Sequence, residues 1–205
     1  MKKTLFLLAL FLLTPFAFAQ TFNDVASNHW AYPYAEDLVE QGIIDDAYLF
    51  HPERKLARVE LVKIMVLATT GILEDQIPYD PSFPDIDREQ WFYPYVETAK
   101  ITGLIKGYPD GLFRPGQTVN RAEATKIIVR GMGLPTNYGK KVKFRDYSPE
   151  AWFHQYVSTA FNTEIVQGEV NSRGVKQMMF HPEREVSRAE MSKMASRGLS
   201  VSAAF

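Results

Sequence analysis

Residues 83–134 read FPDIDREQWFYPYVETAKITGLIKGYPDGLFRPGQTVNRAEATKIIVRGMGL, and this stretch decides the fold because the chain contains it three times in related form. The three tryptophans, Trp30, Trp91 and Trp152, are 61 residues apart twice over. A Phe-x-Asp sequence precedes each of them, at residues 22–24, 83–85 and 144–146. The chain is therefore one unit of about 60 residues repeated three times.

A second pair of motifs recurs later in each unit. A Phe-x-Pro sequence begins at Phe50, Phe113 and Phe180. It leads into an Arg-x-Glu step, which begins at Arg58, Arg121 and Arg188. The equivalent glutamates are 63 and then 67 residues apart, so the spacing changes only between the two halves of a unit. A surface loop absorbs such insertions at little thermodynamic cost.

The first half of each unit predicts a helix. After Trp91, apolar and aromatic side chains recur at helical spacing, and Gly103 follows as a left-handed C-cap. Gly42 has the same place in the first unit, whereas Glu164 has it in the third. A residue with a side chain tolerates that conformation poorly, which predicts a looser end for this helix and a longer loop through residues 171–174.

The second half of each unit predicts another helix, which opens with a capping signal. Asn120 and Ser187 each stand three residues before the glutamate of the Arg-x-Glu step, which is the spacing of a capping box. These glutamates are therefore interpreted as capping partners rather than catalytic acids. Ala57 has the equivalent place in the first unit and lacks a side-chain acceptor, which predicts a helix start weaker by about 1 kcal/mol.

The N-terminus has the three parts of a secretory signal peptide. Lys2 and Lys3 precede an apolar run from Leu5 to Leu13, and Ala-Phe-Ala at residues 17–19 is a small-x-small cleavage site. The run is shorter than the roughly 20 residues that span a bilayer, so we predict an exported chain with no membrane span after cleavage. The chain has no cysteine, which excludes disulfides and a lipid anchor on that residue.

Charge and motif content exclude several functions. Without Lys2 and Lys3, 21 basic residues face 24 acidic ones, which makes a nucleic acid or an anionic membrane a poor partner. The four histidines recur at repeat positions and do not have metal-ligand spacing, and no Gly-x-Ser-x-Gly sequence marks a nucleophile. We therefore expect no enzyme activity, no metal and no cofactor.

The motifs together resemble the S-layer homology repeat, whose best-known signature is Thr-Arg-Ala-Glu. The second unit matches nearly throughout, with Gly-Tyr-Pro-Asp-Gly at residues 107–111 and Asn-Arg-Ala-Glu at residues 120–123. The third unit diverges in its middle, and the first lacks the Gly-Tyr-Pro-Asp-Gly turn. The resemblance divides the chain into a signal peptide over residues 1–19 and repeats over residues 20–76, 77–137 and 138–205.

The resemblance implies an all-α fold with long loops, in which three helix-loop-helix repeats pack in a pseudo-threefold arrangement around a shared helical core. It also implies a non-covalent anchor at the cell surface, which binds a cell-wall-linked polysaccharide, commonly one with a pyruvate ketal on an amino sugar. The ligand would lie in grooves between neighbouring repeats. The residues that match the family's binding positions are Arg58, Arg121, Arg188, Asp24, Asp85, Asp146, Trp30, Trp91, Trp152, Gly107 and Tyr108.

The chemistry of these side chains fits a sugar that bears a carboxylate. A guanidinium at a helix N-terminus offers two parallel N–H donors, and free amides and the helix dipole would add positive potential. A tryptophan face can cover a sugar ring, and an aspartate can accept hydroxyl hydrogens. We expect Arg121→Ala to weaken wall binding by about 1.5 to 3 kcal/mol and Arg58→Ala to do less, because the helix of Arg58 lacks a side-chain cap.

Each residue type also has a structural alternative. The arginines could form salt bridges between units, the aspartates could cap the following helix, and the tryptophans could be core anchors, which is the reading we favour for them. For the whole chain the alternative is a structural or protein-partner scaffold, such as an S-layer-associated subunit without sugar recognition. The first unit, which lacks cap and turn, favours this alternative for its groove. Because the repeats fill the chain after the signal peptide, another surface protein is an additional candidate partner.

Overall fold

A computed structural model describes residues 21–136, 142–169 and 178–203. Within these ranges the helices are α1 Tyr32–Glu40, α2 Arg58–Thr69, α3 Tyr93–Ile101, α4 Arg121–Gly131, α5 His154–Asn162 and α6 Arg188–Ser202, with a 3-10 helix over Glu74–Gln76. The same ranges contain three isolated β-bridges and no strand, so the predicted all-α fold with long loops is confirmed. The predicted signal peptide and the loop at residues 171–174 lie outside the described residues.

The shorter helices end in the same way in all three units. Gly42, Gly103 and Glu164 have φ angles of 68°, 71° and 62°. The prediction of a looser helix end at Glu164 is therefore wrong, because this residue adopts the left-handed conformation in spite of its side chain. The Arg197 Nη1 atom donates to the Glu164 carbonyl at 2.8 Å, which helps to hold this conformation.

The longer helices α2, α4 and α6 contact one another in pairs, and each shorter helix packs on the longer helix of a neighbouring unit. Helix α3 packs on α2, α5 packs on α4, and α1 packs on α6. The contacts therefore run in a closed cycle, in which the first unit meets the third. The pseudo-threefold symmetry that the resemblance implies stays a prediction.

Three backbone hydrogen bonds close the same cycle just before the longer helices. The Leu56 amide donates to the Val186 carbonyl at 3.0 Å, Val186 donates to Val119 at 3.1 Å, and Val119 donates back to Leu56 at 3.1 Å. We call these three residues the backbone ring. All three are buried, so the bonds satisfy amide and carbonyl groups that water cannot reach.

The hydrophobic core runs through all three units rather than through each alone. Its main cluster includes side chains of all the longer helices, among them Met65, Ile128 and Met191. An added Cβ at Gly131 would stand 2.7 Å from the Met65 Cε atom, so this glycine permits close packing of α4 on α2. None of the helices in the described ranges is both long and apolar enough to cross a bilayer.

Candidate functional site

Each arginine of the Arg-x-Glu steps lies at an interface between units. Its Cζ atom lies over the phenylalanine ring of the next Phe-x-Pro sequence, at 5.3 Å for Arg58 on Phe113, 5.1 Å for Arg121 on Phe180 and 5.0 Å for Arg188 on Phe50. The Nε atom of each arginine is buried and has no hydrogen-bond partner within the described ranges. A buried donor without a partner costs free energy, so these three positions are candidate ligand sites.

The helix N-termini beside the arginines have no free amides to offer a ligand. The Arg58 amide donates to the Gln117 carbonyl at 2.8 Å, and the Val59 amide donates to the Pro115 carbonyl at 3.1 Å. The other two longer helices have equivalent bonds from Arg121 to Arg184 and from Arg188 to Arg54. The expectation that free amides support a bound anion is therefore wrong, and side chains must supply the positive charge.

The tryptophans are half exposed, at 47 % for Trp30, 59 % for Trp91 and 53 % for Trp152. The prediction that they anchor the core is wrong, because the residue after each one is buried in its place: Ala31, Phe92 and Phe153. Each ring instead faces a lysine of a neighbouring longer helix. The distances from Nζ to the ring centroid are 5.7 Å for Lys193 and Trp30, 5.8 Å for Lys63 and Trp91, and 5.0 Å for Lys126 and Trp152.

These contacts define three grooves, each with an arginine, a lysine and a tryptophan from three different units. Groove 1 contains Arg58, Lys126 and Trp152; groove 2 contains Arg121, Lys193 and Trp30; groove 3 contains Arg188, Lys63 and Trp91. Cavities of about 480 Å³ and about 330 Å³ contain the three residues of groove 1 and of groove 2. In groove 3, Arg188 reaches Glu60 on α2, which lies one turn before Lys63.

Groove 1 holds an arginine that has no acceptor among the described residues. Arg58 is only 6 % exposed, and its side chain makes no hydrogen bond or ion pair within the described part of the chain. Its Cζ atom lies 4.6 Å from the centre of the Tyr108 ring. The Tyr108 hydroxyl donates to the Glu123 carboxylate at 2.9 Å and accepts from the side-chain Nε2 atom of Gln117 at 3.2 Å, which fixes the ring beneath the guanidinium.

The charges around groove 1 are mostly positive. Lys106, Lys126 and Arg130 line its cavity together with Arg58, and Glu123 is the acidic residue among the lining side chains. Burial lowers the pKa of the Lys126 ammonium, and the nearby positive charges of Arg130, Arg58 and Lys106 lower it further. The cations are close enough to repel one another, so a bound anion would relieve this repulsion.

Groove 2 has a more balanced charge. The Arg121 Nη2 atom donates to the Gln167 carbonyl at 3.2 Å, and its Nη1 atom lies 3.7 Å from Glu190 Oε1. Burial lowers the pKa of the Arg121 guanidinium, although the charge of Glu190 opposes this effect. In the same groove, the His181 Nε2 atom lies 3.0 Å from the Glu169 Oε2 atom.

Groove 3 has its cations engaged by carboxylates. The Arg188 Nη1 atom lies 3.7 Å from Glu60 Oε1, and the Lys63 Nζ atom lies 3.0 Å from Asp45 Oδ2. Arg54 also binds Glu60 through both of its Nη atoms, at 2.5 Å and 3.1 Å. The alternative role of the arginines was to form salt bridges between units. Arg121 and Arg188 form such contacts, with Glu190 and Glu60.

The three aspartates of the Phe-x-Asp sequences hold a loop. The Asp85 carboxylate accepts hydrogen bonds from the Phe113 amide at 2.9 Å and the Arg114 amide at 2.6 Å. Asp24 and Asp146 bind the two equivalent amides of their own units. The alternative in which the aspartates cap the following helix is wrong, because their partners are 26 to 35 residues away. They position the phenylalanine on which an arginine stacks.

Packing alone already requires a glycine at position 107, whether or not a ligand contacts it. Its φ angle is 80°, and an added Cβ would stand 2.5 Å from the Phe83 ring. The glycine therefore lets the turn lie against Phe83 and directs Tyr108 into groove 1. In the first unit, Asp45 and Asp46 occupy the places of Lys106 and Gly107, counted from the C-cap glycine.

Three functional residues were not predicted from the sequence, namely the groove lysines Lys63, Lys126 and Lys193. Each of them stands three residues after the glutamate of the Arg-x-Glu step, which places it one helical turn further along the longer helix. This recurrence in all three units was a usable signal. The recurrence was not recognised because a lysine on a helix is usually a solvated surface residue.

Two segments of the chain, residues 82–125 and 143–192, match the family model of the S-layer homology domain. The chain is 28% identical to the S-layer protein sap of Bacillus anthracis over 187 residues, which is 88% of this chain and 21% of that protein. It is 28% identical over 142 residues to the cellulosome-anchoring protein of Acetivibrio thermocellus, which is 67% of this chain and 32% of that protein. An endoglucanase of Bacillus sp. strain KSM-635 is 26% identical over 185 residues, which is 85% of this chain and 18% of the endoglucanase. The chain thus spans a third or less of the length of these relatives.

Proposed function

We propose, from the two S-layer homology segments that the chain carries, that it anchors non-covalently at the cell surface by binding a cell-wall-linked polysaccharide in its grooves. The observation that carries the proposal is the guanidinium of Arg58. It is buried, it has no acceptor within the described ranges, and it lines a cavity with Lys126 and Trp152. A protein keeps a buried charge of this kind when a ligand completes its interactions.

The chemistry of groove 1 favours a sugar that carries a carboxylate. The planar guanidinium of Arg58 can donate two parallel hydrogen bonds to one carboxylate, and Lys126 adds a second positive charge beside it. The half-exposed ring of Trp152 can cover the apolar face of a sugar. A pyruvate ketal on an amino sugar combines these two features in one residue, so a pyruvylated polysaccharide is the proposed ligand.

A polysaccharide can bind one protein molecule more tightly when that molecule has several grooves. The grooves open to the surface, and consecutive sugar residues of a polysaccharide could occupy more than one groove at a time. Binding at the second groove is then intramolecular and increases the overall affinity without new contacts. The S-layer protein and the cellulosome-anchoring protein among the relatives fit such a role at the cell surface. The endoglucanase shares only a small part of its length, and we propose no enzyme activity for this chain.

A structural scaffold that binds a protein partner is the second candidate. Groove 3 favours this scaffold role, because Asp45 forms an ion pair with Lys63 and Glu60 lies close to Arg188. This groove therefore offers less free positive charge to an anionic sugar than groove 1 does.

Co-sedimentation of the purified protein with cell-wall sacculi tests the proposal. We expect binding to intact sacculi, loss of binding after mild acid removes ketal-linked pyruvate, and loss after the secondary polymer is stripped. Arg58→Gln should weaken binding, whereas Arg114→Gln should not. The guanidinium of Arg114 also lies 4.6 Å from the Tyr108 ring, but it is paired with Asp110. Failure of the folded protein to bind any of the preparations would overturn the proposal.

A further inference from the structure

Resting on the proposed function, we infer that Asp45 is an internal counter-ion that closes groove 3 to anionic sugars. The chain then binds the carboxylated sugar in groove 1 and groove 2, and more tightly in groove 1. The three grooves thus differ in what they bind although they repeat one design.

One position of the repeat differs in charge between the three units. Asp45, Lys106 and Gln167 each stand three residues after the C-cap position of their shorter helix, at Gly42, Gly103 and Glu164. They belong to groove 3, groove 1 and groove 2, in that order. The position is therefore negative in groove 3, positive in groove 1 and neutral in groove 2.

The side chain of Asp45 lies close to the place that a ligand would need. Its Oδ2 atom is 3.0 Å from the Lys63 Nζ atom, and this Nζ atom is 5.8 Å from the centre of the Trp91 ring. A carboxylate already sits beside the groove lysine, where the carboxylate of a sugar stacked on Trp91 would lie. To bind there, an anionic sugar must displace the Asp45 carboxylate from Lys63, and its own carboxylate must then lie near the negative charge of Asp45.

The arginines set groove 1 apart from the other two grooves. Arg58 in groove 1 has no acceptor in the described part of the chain. Arg121 in groove 2 binds the Gln167 carbonyl and lies 3.7 Å from Glu190, and Arg188 in groove 3 lies 3.7 Å from Glu60. We therefore expect Arg58→Gln to weaken sugar binding more than Arg121→Gln does. Helix capping alone led to the opposite expectation, in which loss of Arg121 weakens binding more than loss of Arg58. The cap does not determine which guanidinium is free to bind a ligand.

The pair of Asp45 and Lys63 is weak as a source of stability, since the Asp45 side chain is 86% exposed. Its effect on an anionic ligand is larger than its effect on folding. The aspartate removes one partner from the ligand and adds a like charge at about 4 Å, which costs about fivefold in affinity in water and more in a partly buried groove. Replacement of Asp45 should therefore open the groove without unfolding the protein.

Isothermal titration with a small probe tests the inference. The probe is the methyl glycoside of an N-acetylhexosamine with a 4,6-linked pyruvate ketal, which occupies one groove at a time. We expect the wild-type protein to bind about two molecules and Asp45→Lys to bind about three. Arg58→Gln should remove the tighter site. The control is Asp75→Lys, which makes the same change of charge at an exposed residue of the 3-10 helix.

The outcomes separate this inference from the proposed function. Three equal sites in the wild-type protein, or two sites that Asp45→Lys leaves unchanged, would overturn the inference and leave the proposed function standing. No binding by any folded variant would overturn the proposed function and the inference together. A third site in Asp75→Lys as well would show that overall charge, rather than Asp45, controls groove 3, and would also overturn the inference.

Discussion

The Leu56 amide donates a hydrogen bond to the Val186 carbonyl at 3.0 Å, which joins the first unit of the chain to the third. Val119 of the second unit completes the backbone ring, and α1 packs on α6 in the same sense. Each groove takes its arginine, lysine and tryptophan from three different units. The grooves therefore exist only when the cycle of units is closed, and folding and binding are coupled through it.

Leu56→Ala should destabilise the whole chain rather than one unit. Leu56 is 1% exposed and lies in the backbone ring, so its truncation should lower the free energy of unfolding by about 2 to 5 kcal/mol. Leu49→Ala, at a position that is 40% exposed, is the control and should cost less than about 1 kcal/mol. Urea denaturation followed by circular dichroism measures both. Two separate transitions in Leu56→Ala would contradict the cyclic coupling of the units.

Ala57→Ser should stabilise the protein. Ala57 is the N-cap of α2 and has an extended backbone with φ −74° and ψ 150°, but it offers no side-chain acceptor. Ser187 has the same place before α6, and its hydroxyl accepts from the Glu190 amide at 3.3 Å. We expect Ala57→Ser to raise the free energy of unfolding by about 1 kcal/mol and Ser187→Ala to lower it by a similar amount. Equal stability of both variants and the wild type would show that the cap is energetically silent.

Asp85→Ala should affect stability more than ligand binding. The carboxylate of Asp85 accepts two amide hydrogen bonds, one of them from Arg114, which has a φ angle of 59°. Its loss should lower the free energy of unfolding by about 1.5 to 3 kcal/mol. Asp87→Ala is the control, since that side chain binds one exposed amide two residues away. Loss of wall binding with an unchanged melting temperature would instead make Asp85 a ligand contact.

Acid should weaken the contacts of the capping glutamate Glu190. Burial raises the pKa of the Glu190 carboxyl, but hydrogen bonds from Arg184 and from the Ser187 amide outweigh it and hold the pKa below its usual value of 4.5. The stabilisation is therefore fully present above pH 4.5 and is lost as the pH falls through the lower folded-state pKa. Glu190→Gln should be less stable at pH 7 and should lose less stability below pH 4.5. Parallel pH profiles of the two proteins would contradict this assignment.

The features that the sequence predicted correctly depend on neighbouring residues. The longer helices begin at Arg58, Arg121 and Arg188, as the Arg-x-Glu steps indicate, and Asn120 and Ser187 form capping boxes. A capping box involves residues three apart, and helical spacing involves residues three and four apart. Such signals are visible in a single sequence.

The features that the sequence did not predict depend on packing between distant residues. Asp85 binds amides 28 and 29 residues away, and the exposure of Trp91 follows from the burial of Phe92 in its place. The role of Asp45 requires knowledge that Lys63 lies beside Trp91 of another unit. Only the assembled cycle of units brings these residues together, which is why residue spacing alone gave the wrong role to the tryptophans.

Each groove contains one tryptophan, so the three indole N–H signals of a ¹⁵N-labelled protein report on the three grooves separately. Variants in which one tryptophan is replaced by phenylalanine assign the signals. We would titrate the protein with the pyruvylated glycoside and follow the three signals by NMR. We expect the signal of Trp152 to shift at the lowest concentration, that of Trp30 at a higher one, and that of Trp91 hardly at all. Three indole signals that stay unchanged while the protein still binds sacculi would contradict binding in the grooves.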